Sequence, residues 1–113
     1  MAEYYKLDRV RELADGDEDF VAALAAAFIE EVPADAERLR VAVPEEDYYE
    51  AYQAAHKMKP TIDLFELGVY DQLIEVQDWG KFEQYDKDVT EQLNIVLTAI
   101  DNAVNEIRQD FGL

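Results

Sequence analysis

The sequence predicts an all-α protein: an antiparallel four-helix bundle with a short additional N-terminal helix, forming a single domain over residues 1–113. Apolar residues recur every three or four positions along most of the chain, and the alternating pattern of a half-buried strand is absent. With only 4 glycines and 3 prolines, the chain has few breaking points, which favours long helices joined by short connections. Half of the residues are hydrophobic, enough for one modest core.

The first two predicted helices meet at an acidic turn. We expect a short helix from Tyr4 to Ala14 that ends at Asp15-Gly16. Asp17 is a typical N-cap for the next helix, because its carboxylate can accept hydrogen bonds from the free amide groups of the first turn. This second helix runs to about Val43, and Pro33 inside it predicts a kink rather than a break.

Three further helices complete the predicted order. The third begins at Glu45 or Glu46, after the turn at Pro44, and ends near Phe65. The fourth covers Leu67 to Gln77, and Asp78-Trp79-Gly80 is expected to be a loop. The last runs from Phe82 to Asp110 and has the clearest apolar stripe, formed by Val89, Leu93, Val96, Ile100, Val104, Ile107 and Phe111.

Charge and composition exclude several functions. Asp and Glu number 27 against 10 Lys and Arg, so the net charge of -17 disfavours binding to nucleic acid or to anionic membranes. No apolar run approaches a membrane span, and the charged N-terminus does not resemble a signal peptide. The absence of cysteine excludes thiolate sites and suits the cytoplasm, where we expect this protein to be located. A single histidine and the lack of a Gly-rich loop predict neither a metal centre nor a nucleotide cofactor.

The segment 51–62, AYQAAHKMKPTI, is the longest stretch without Asp or Glu. It contains His56, Lys57 and Lys59, a local basic island that suggests a negatively charged group binds there. At 100° per residue, a core-facing stripe of this helix leaves His56 about 140° away, on the solvent side. That stripe consists of Ala51, Ala55, Met58, Ile62 and Phe65.

An exposed imidazole can act as a phosphoryl acceptor. Free imidazole has a pKa of about 6.5, so a nucleophilic neutral form is abundant at neutral pH. Lys59, three residues on, can place its ammonium near phosphoryl oxygens, whereas Lys57 points elsewhere and raises the local potential. Pro60 leaves the carbonyl of His56 without its helical partner and can clear space for a docking protein.

The run Ala55-His56-Lys57-Met58-Lys59-Pro60 resembles the signature of histidine-containing phosphotransfer (HPt) domains. That signature has an Ala-His pair, an apolar residue two after the histidine and a lysine three after. The resemblance extends over nearly the whole chain, through its length and the entry into the second helix at 13–20. Two positions depart from it, because Pro60 and Glu66 stand where the family often has glycine.

The resemblance implies a phosphorelay carrier rather than an enzyme. Such domains accept a phosphoryl group from the phospho-aspartate of one receiver domain and pass it to another, while the receiver supplies Mg²⁺ and most catalytic groups. His56 would carry the group on Nε2, and Lys59 would stabilise its charge. Receiver domains of hybrid histidine kinases and response regulators would be the partners. Because the sequence shows no exposed apolar stripe beyond the core, we expect a monomer. The docking surface would include Tyr52, Lys57, Pro60 and Asp63.

Other readings of the same residues remain open. His56 can be an ordinary surface histidine, and Lys59 can simply pair with Asp63 one turn further on. The whole domain can bind receivers without carrying phosphate. An acidic mimic of nucleic acid would explain the net charge but not the basic island. An enzyme with its own pocket is disfavoured, because no second catalytic residue accompanies His56.

Overall fold

The computed structural model describes residues 3–113 and contains five helices with no strand among those residues. The helices are α1 (Asp8–Ala14), α2 (Glu18–Ala42), α3 (Tyr48–Leu64), α4 (Tyr70–Lys81) and α5 (Thr90–Phe111). The predicted all-helical fold is therefore confirmed, and the arrangement is compatible with a helical bundle. No helix in this part of the chain has both the length and the apolar character needed to cross a membrane.

Helices α2 and α3 are each capped at the amino end by an aspartate side chain. The Asp17 carboxylate accepts hydrogen bonds from the amides of Asp19 (3.0 Å) and Phe20 (3.2 Å), as the sequence predicts. Asp47 caps α3 in the same way through the amide of Glu50, at 3.2 Å. These bonds satisfy amide groups that have no partner inside the helix, and so they fix where α2 and α3 start.

The core is shared by all five helices. Helix α3 packs against α2 and α4, α5 packs against the same two helices, and α1 lies on α2. The rings of Phe28 and Phe65 meet with their centroids 4.8 Å apart, which joins α2 to the carboxyl end of α3. The largest fully buried side chains come from every helix and from the N-terminal segment: Tyr5, Val10, Val21, Phe28, Leu39, Met58, Ile62, Phe65, Leu73, Val76, Ile100 and Ile107.

The N-terminal segment before Asp8 is not helical, although a helix was predicted to begin at Tyr4. Helix α1 begins at Asp8 rather than Tyr4. The amide of Lys6 donates to the carbonyl of Phe65 at 2.8 Å, and the buried Tyr5 donates its hydroxyl hydrogen to Asp110 at 2.7 Å. These contacts hold the segment against the ends of α3 and α5, and they replace the helical hydrogen bonds that it would otherwise make.

The boundary between α4 and α5 was predicted wrongly. Asp78-Trp79-Gly80 lies inside α4, which continues to Lys81, and α5 begins at Thr90 rather than Phe82. Gly80 is buried against the backbone of α3, so its role is close packing and not chain reversal. The true connection covers 82–89, where Glu83 has a left-handed backbone and the indole nitrogen of Trp79 donates to the carbonyl of Lys87 at 2.9 Å.

Candidate functional site

His56 lies on the exposed face of α3, as its position relative to the apolar stripe predicts. The opposite face of the helix is buried, and small side chains dominate it near the histidine. Ala51, Ala54 and Ala55 are fully buried, and Met58 is 1% exposed. The imidazole therefore stands on a helix whose opposite face is well packed, while its own side chain is exposed to solvent.

Tyr52 lies one helical turn before His56 and is half-buried. The centroids of the two rings are 5.6 Å apart, with 32° between their planes. This distance suits a packed aromatic pair, so the Tyr52 ring lies against one side of the imidazole. Tyr52, one of the predicted docking residues, is thus packed beside the histidine ring.

The two lysines of the basic island have different surroundings. The ammonium of Lys57 lies 3.4 Å from an Asp35 carboxylate oxygen on α2. Lys59 is half-buried and has no ion-pair partner within residues 3–113. The pairing of Lys59 with Asp63 does not form, and Asp63 lies 3.1 Å from the guanidinium of Arg9 instead. Lys59 is therefore the basic-island lysine whose charge is uncommitted among the described residues.

Pro60 and Asp63 extend the same face of α3 towards its carboxyl end. Pro60 is exposed, and α3 continues through it to Leu64 without interruption. Arg9 contacts Asp63 twice, through the carboxylate at 3.1 Å and through the backbone carbonyl at 3.2 Å. The predicted docking residue Asp63 is thus joined to α1, and this end of the face includes atoms of two helices.

A charged network between α2 and α3 was not predicted from the sequence. Arg38 donates two hydrogen bonds of 2.9 Å to the carboxylate of Glu50 and a third of 3.1 Å to Asp35. These bonds lower the pKa of the Glu50 carboxyl and raise that of the Arg38 guanidinium. The three-residue spacing of Asp35 and Arg38 was a visible signal, but the connection to Glu50 and Lys57 depends on the tertiary fold.

Helix α4 approaches the backbone of α3 just before the histidine. A β-carbon added to Gly80 would lie 2.5 Å from the carbonyl oxygen of Tyr48 and 2.8 Å from the amide nitrogen of Tyr52. The amino end of α3 is therefore in direct backbone contact with the carboxyl end of α4. Sequence reasoning missed this contact because it took Gly80 as part of a loop.

Comparison of the chain with protein-family models, with curated proteins and with solved structures finds no match.

Proposed function

We propose that this protein is an HPt-type phosphocarrier that accepts a phosphoryl group on His56 from one receiver domain and delivers it to another. The observation that carries the proposal is the combination of an exposed histidine, a buried small-residue face beneath it and a lysine three residues later with no ion-pair partner in residues 3–113. A histidine with only a structural role does not require this combination.

The proposed transfer needs no acid or base from this chain. Neutral imidazole protonated on Nδ1 carries a lone pair on Nε2, which attacks the phosphorus of a receiver phospho-aspartate. The new N–P bond forms as the bond from phosphorus to the aspartyl oxygen breaks, and the aspartate leaves as a carboxylate. The Nδ1 proton stays in place, so the product is a phosphorylated imidazolium. Attack by the aspartate of a second receiver reverses these changes and frees the imidazole.

Lys59 is proposed to offset the charge of the phosphoryl oxygens. It lies on the turn after His56, where residues three apart are neighbours on a helix surface. A charge-assisted hydrogen bond of this kind contributes about 1.5–3 kcal/mol. Because no ion pair within residues 3–113 holds the ammonium, its movement towards the phosphoryl group breaks no salt bridge of the described chain.

The exposed face of α3 is the proposed docking surface for receivers. It comprises Tyr52, Lys57, Pro60 and Asp63 around His56, and no acid lies between positions 51 and 62. Lys59, which has no ion-pair partner within residues 3–113, gives this face a local positive charge on a chain of net charge -17, and this favours the approach of an acidic partner surface.

The proposed architecture is an antiparallel four-helix bundle of α2, α3, α4 and α5, with α1 as the additional short helix. The contact of Gly80 with the first turns of α3 supports it, since the opposite ends of α3 and α4 are joined by the short connection 65–69. A helix hairpin with this geometry places α3 between two neighbours and leaves one face for docking.

The test is phosphoryl transfer from a panel of phosphorylated receiver domains to the wild type and to His56→Gln. We expect label on the wild type only, in an acid-labile and alkali-stable form characteristic of a phosphoramidate. Because His56 is the single histidine, loss of label in the variant assigns the site directly. A folded wild type that binds receivers but takes no label would refute the carrier function and favour a non-covalent binding module.

The role of Lys59 is tested with a matched pair of charge-removing variants. We expect Lys59→Gln to slow transfer by about ten-fold, the loss of one charge-assisted hydrogen bond. Arg108→Gln removes one positive charge from an exposed position on α5, which packs against α2 and α4, and should leave the rate within about two-fold of wild type. Equal effects of the two variants would show that only net charge matters and would contradict the specific role of Lys59.

A further inference from the structure

Asp35 is the most buried charged side chain near the histidine. It lies on α2 and is 3% exposed. One of its carboxylate oxygens accepts from Arg38 at 3.1 Å and from the ammonium of Lys57 at 3.4 Å. A buried carboxylate is costly unless it is paired and hydrogen-bonded, so these two cations account for its presence in the α2–α3 interface.

Arg38 alone does not fully compensate Asp35. Its guanidinium also binds both carboxylate oxygens of Glu50, at 2.9 Å each, and its single positive charge is therefore shared between two acids. Lys57 supplies the second positive charge, which makes the group of two acids and two bases electrically neutral. The charge of Lys57 is thus committed to α2, although it follows His56 directly in sequence.

We propose that Asp35 is a positioning residue that holds the Lys57 ammonium towards α2 and away from a phosphoryl group on His56. Lys59 is then left as the cation that stabilises the phosphoryl group, and the phosphohistidine stays reactive enough to be passed on. The inference rests on His56 as the phosphoryl acceptor and adds a residue from a different helix that tunes the stability of its phosphorylated form.

The physical basis is the charge change during phosphoryl loss. A phosphoryl group carries close to two negative charges near neutral pH. Its departure passes through a loose, metaphosphate-like transition state with less charge on the oxygens, so a nearby cation stabilises the starting phosphohistidine more than the transition state. Lys57 has a flexible stem and starts from the adjacent residue, 1.5 Å along the helix axis. Once released from Asp35, its ammonium is free to approach the phosphoryl oxygens, and their attraction strengthens as the separation falls.

The experiment measures the lifetime of phosphohistidine in the full chain without any receiver. Phosphoramidate phosphorylates an accessible imidazole: the P–N bond of the reagent breaks, ammonia leaves and the new bond forms to His56. After removal of the reagent, the decay of the single phosphohistidine ³¹P resonance gives the half-life. We expect Asp35→Asn to lengthen this half-life about two- to five-fold, the effect of gaining one partly exposed charge pair.

A double-mutant cycle separates positioning from general effects. In a Lys57→Met background, Asp35→Asn should change the half-life by less than about 1.5-fold, because no ammonium remains to be released. Glu37→Gln is the matched control, since it removes an exposed acid two residues away that pairs with Arg40 at 3.0 Å. It should leave the half-life unchanged, and thermal unfolding of each variant confirms that the helices remain folded.

Two results would overturn the inference. One is an unchanged half-life in Asp35→Asn. The other is an equal gain with and without Lys57, which would show a general charge effect. Failure of the carrier function is distinguishable from failure of this inference. If phosphoramidate labels the wild type but no receiver does, the relay activity is absent, while the effect of Asp35→Asn on the phosphohistidine half-life can still be measured.

Discussion

Replacing Gly80 by alanine should force α4 away from α3 at the turn that precedes His56. The added methyl group would lie 2.5 Å from the Tyr48 carbonyl oxygen and 2.8 Å from the Tyr52 amide nitrogen. Real contacts of a β-carbon with such atoms are longer than 3 Å. Both neighbours belong to the backbone of α3, so no side-chain rotation relieves the overlap and a helix must move.

The expected size follows from two opposing effects. Overpacking of this kind costs about 1–3 kcal/mol, and the upper end applies here because the backbone must shift. Alanine regains about 1 kcal/mol over glycine through its higher helix propensity. The net loss is therefore about 2 kcal/mol of unfolding free energy. For a chain of 113 residues this corresponds to a fall in Tm of roughly 8–10 °C.

Thermal and urea unfolding of Gly80→Ala measure this loss directly. Ala26→Gly on the exposed side of α2 is the control, because it isolates the propensity difference and should cost about 1 kcal/mol. An unchanged or raised stability of Gly80→Ala would refute the close packing of α4 on α3. If the carrier function holds, the displaced α3 should also slow phosphoryl transfer, and a stability loss with an unaltered rate would show that the movement does not reach His56.

Three further changes test individual contacts. Glu50→Gln should cost less than about 1 kcal/mol at pH 7, measured by urea unfolding. Because Arg38 lowers the pKa of Glu50 in the folded protein, the stability from this pair is present above the ordinary pKa of 4.5 and is lost as the pH falls through the lower folded pKa. The unfolding free energies of variant and wild type should therefore converge in acid. A difference in unfolding free energy that does not change with pH would contradict the pairing. Tyr5→Phe should cost about 1 kcal/mol through the lost bond to Asp110, and an unchanged urea midpoint would argue against that bond. Asp17→Ala should lower the unfolding free energy by about 1 kcal/mol, because it removes the cap of α2. An unchanged unfolding free energy would show that the cap does not stabilise the helix.

Periodicity and capping explain what the sequence could predict. The apolar stripe of α3 placed His56 on the solvent side, and the Asp17 cap located the start of α2. Both features depend on residues within a few positions of one another, where local geometry is fixed by the 3.6-residue repeat. The continuation of α2 through Pro33 was also visible, because the apolar pattern resumes after it.

The errors concern residues whose environment comes from distant parts of the chain. A glycine near the end of a helical pattern is a common stop signal, and the adjacent backbone of α3 explains why Gly80 lies inside α4 instead. The segment around Tyr5 has a composition that suits a helix, but the hydroxyl of Tyr5 donates a hydrogen bond to Asp110 at the other end of the chain. The pairing of Asp35 with Lys57 likewise joins residues 22 positions apart and leaves no local signal.

The aromatic cluster at the junction of α3 and α4 gives the molecule an intrinsic optical reporter. The chain has one tryptophan, Trp79, which is 4% exposed and has its ring centroid 4.5 Å from that of Tyr48. Tyr85 meets Tyr48 edge-on at 5.1 Å and completes the cluster. Because Trp79 precedes Gly80, its fluorescence depends on the same helix contact that supports the face around His56. Separation of α4 from α3 would expose the indole to water and move its emission to longer wavelength. The emission maximum of Trp79 therefore reports, without any added label, whether the contact between the two helices is intact.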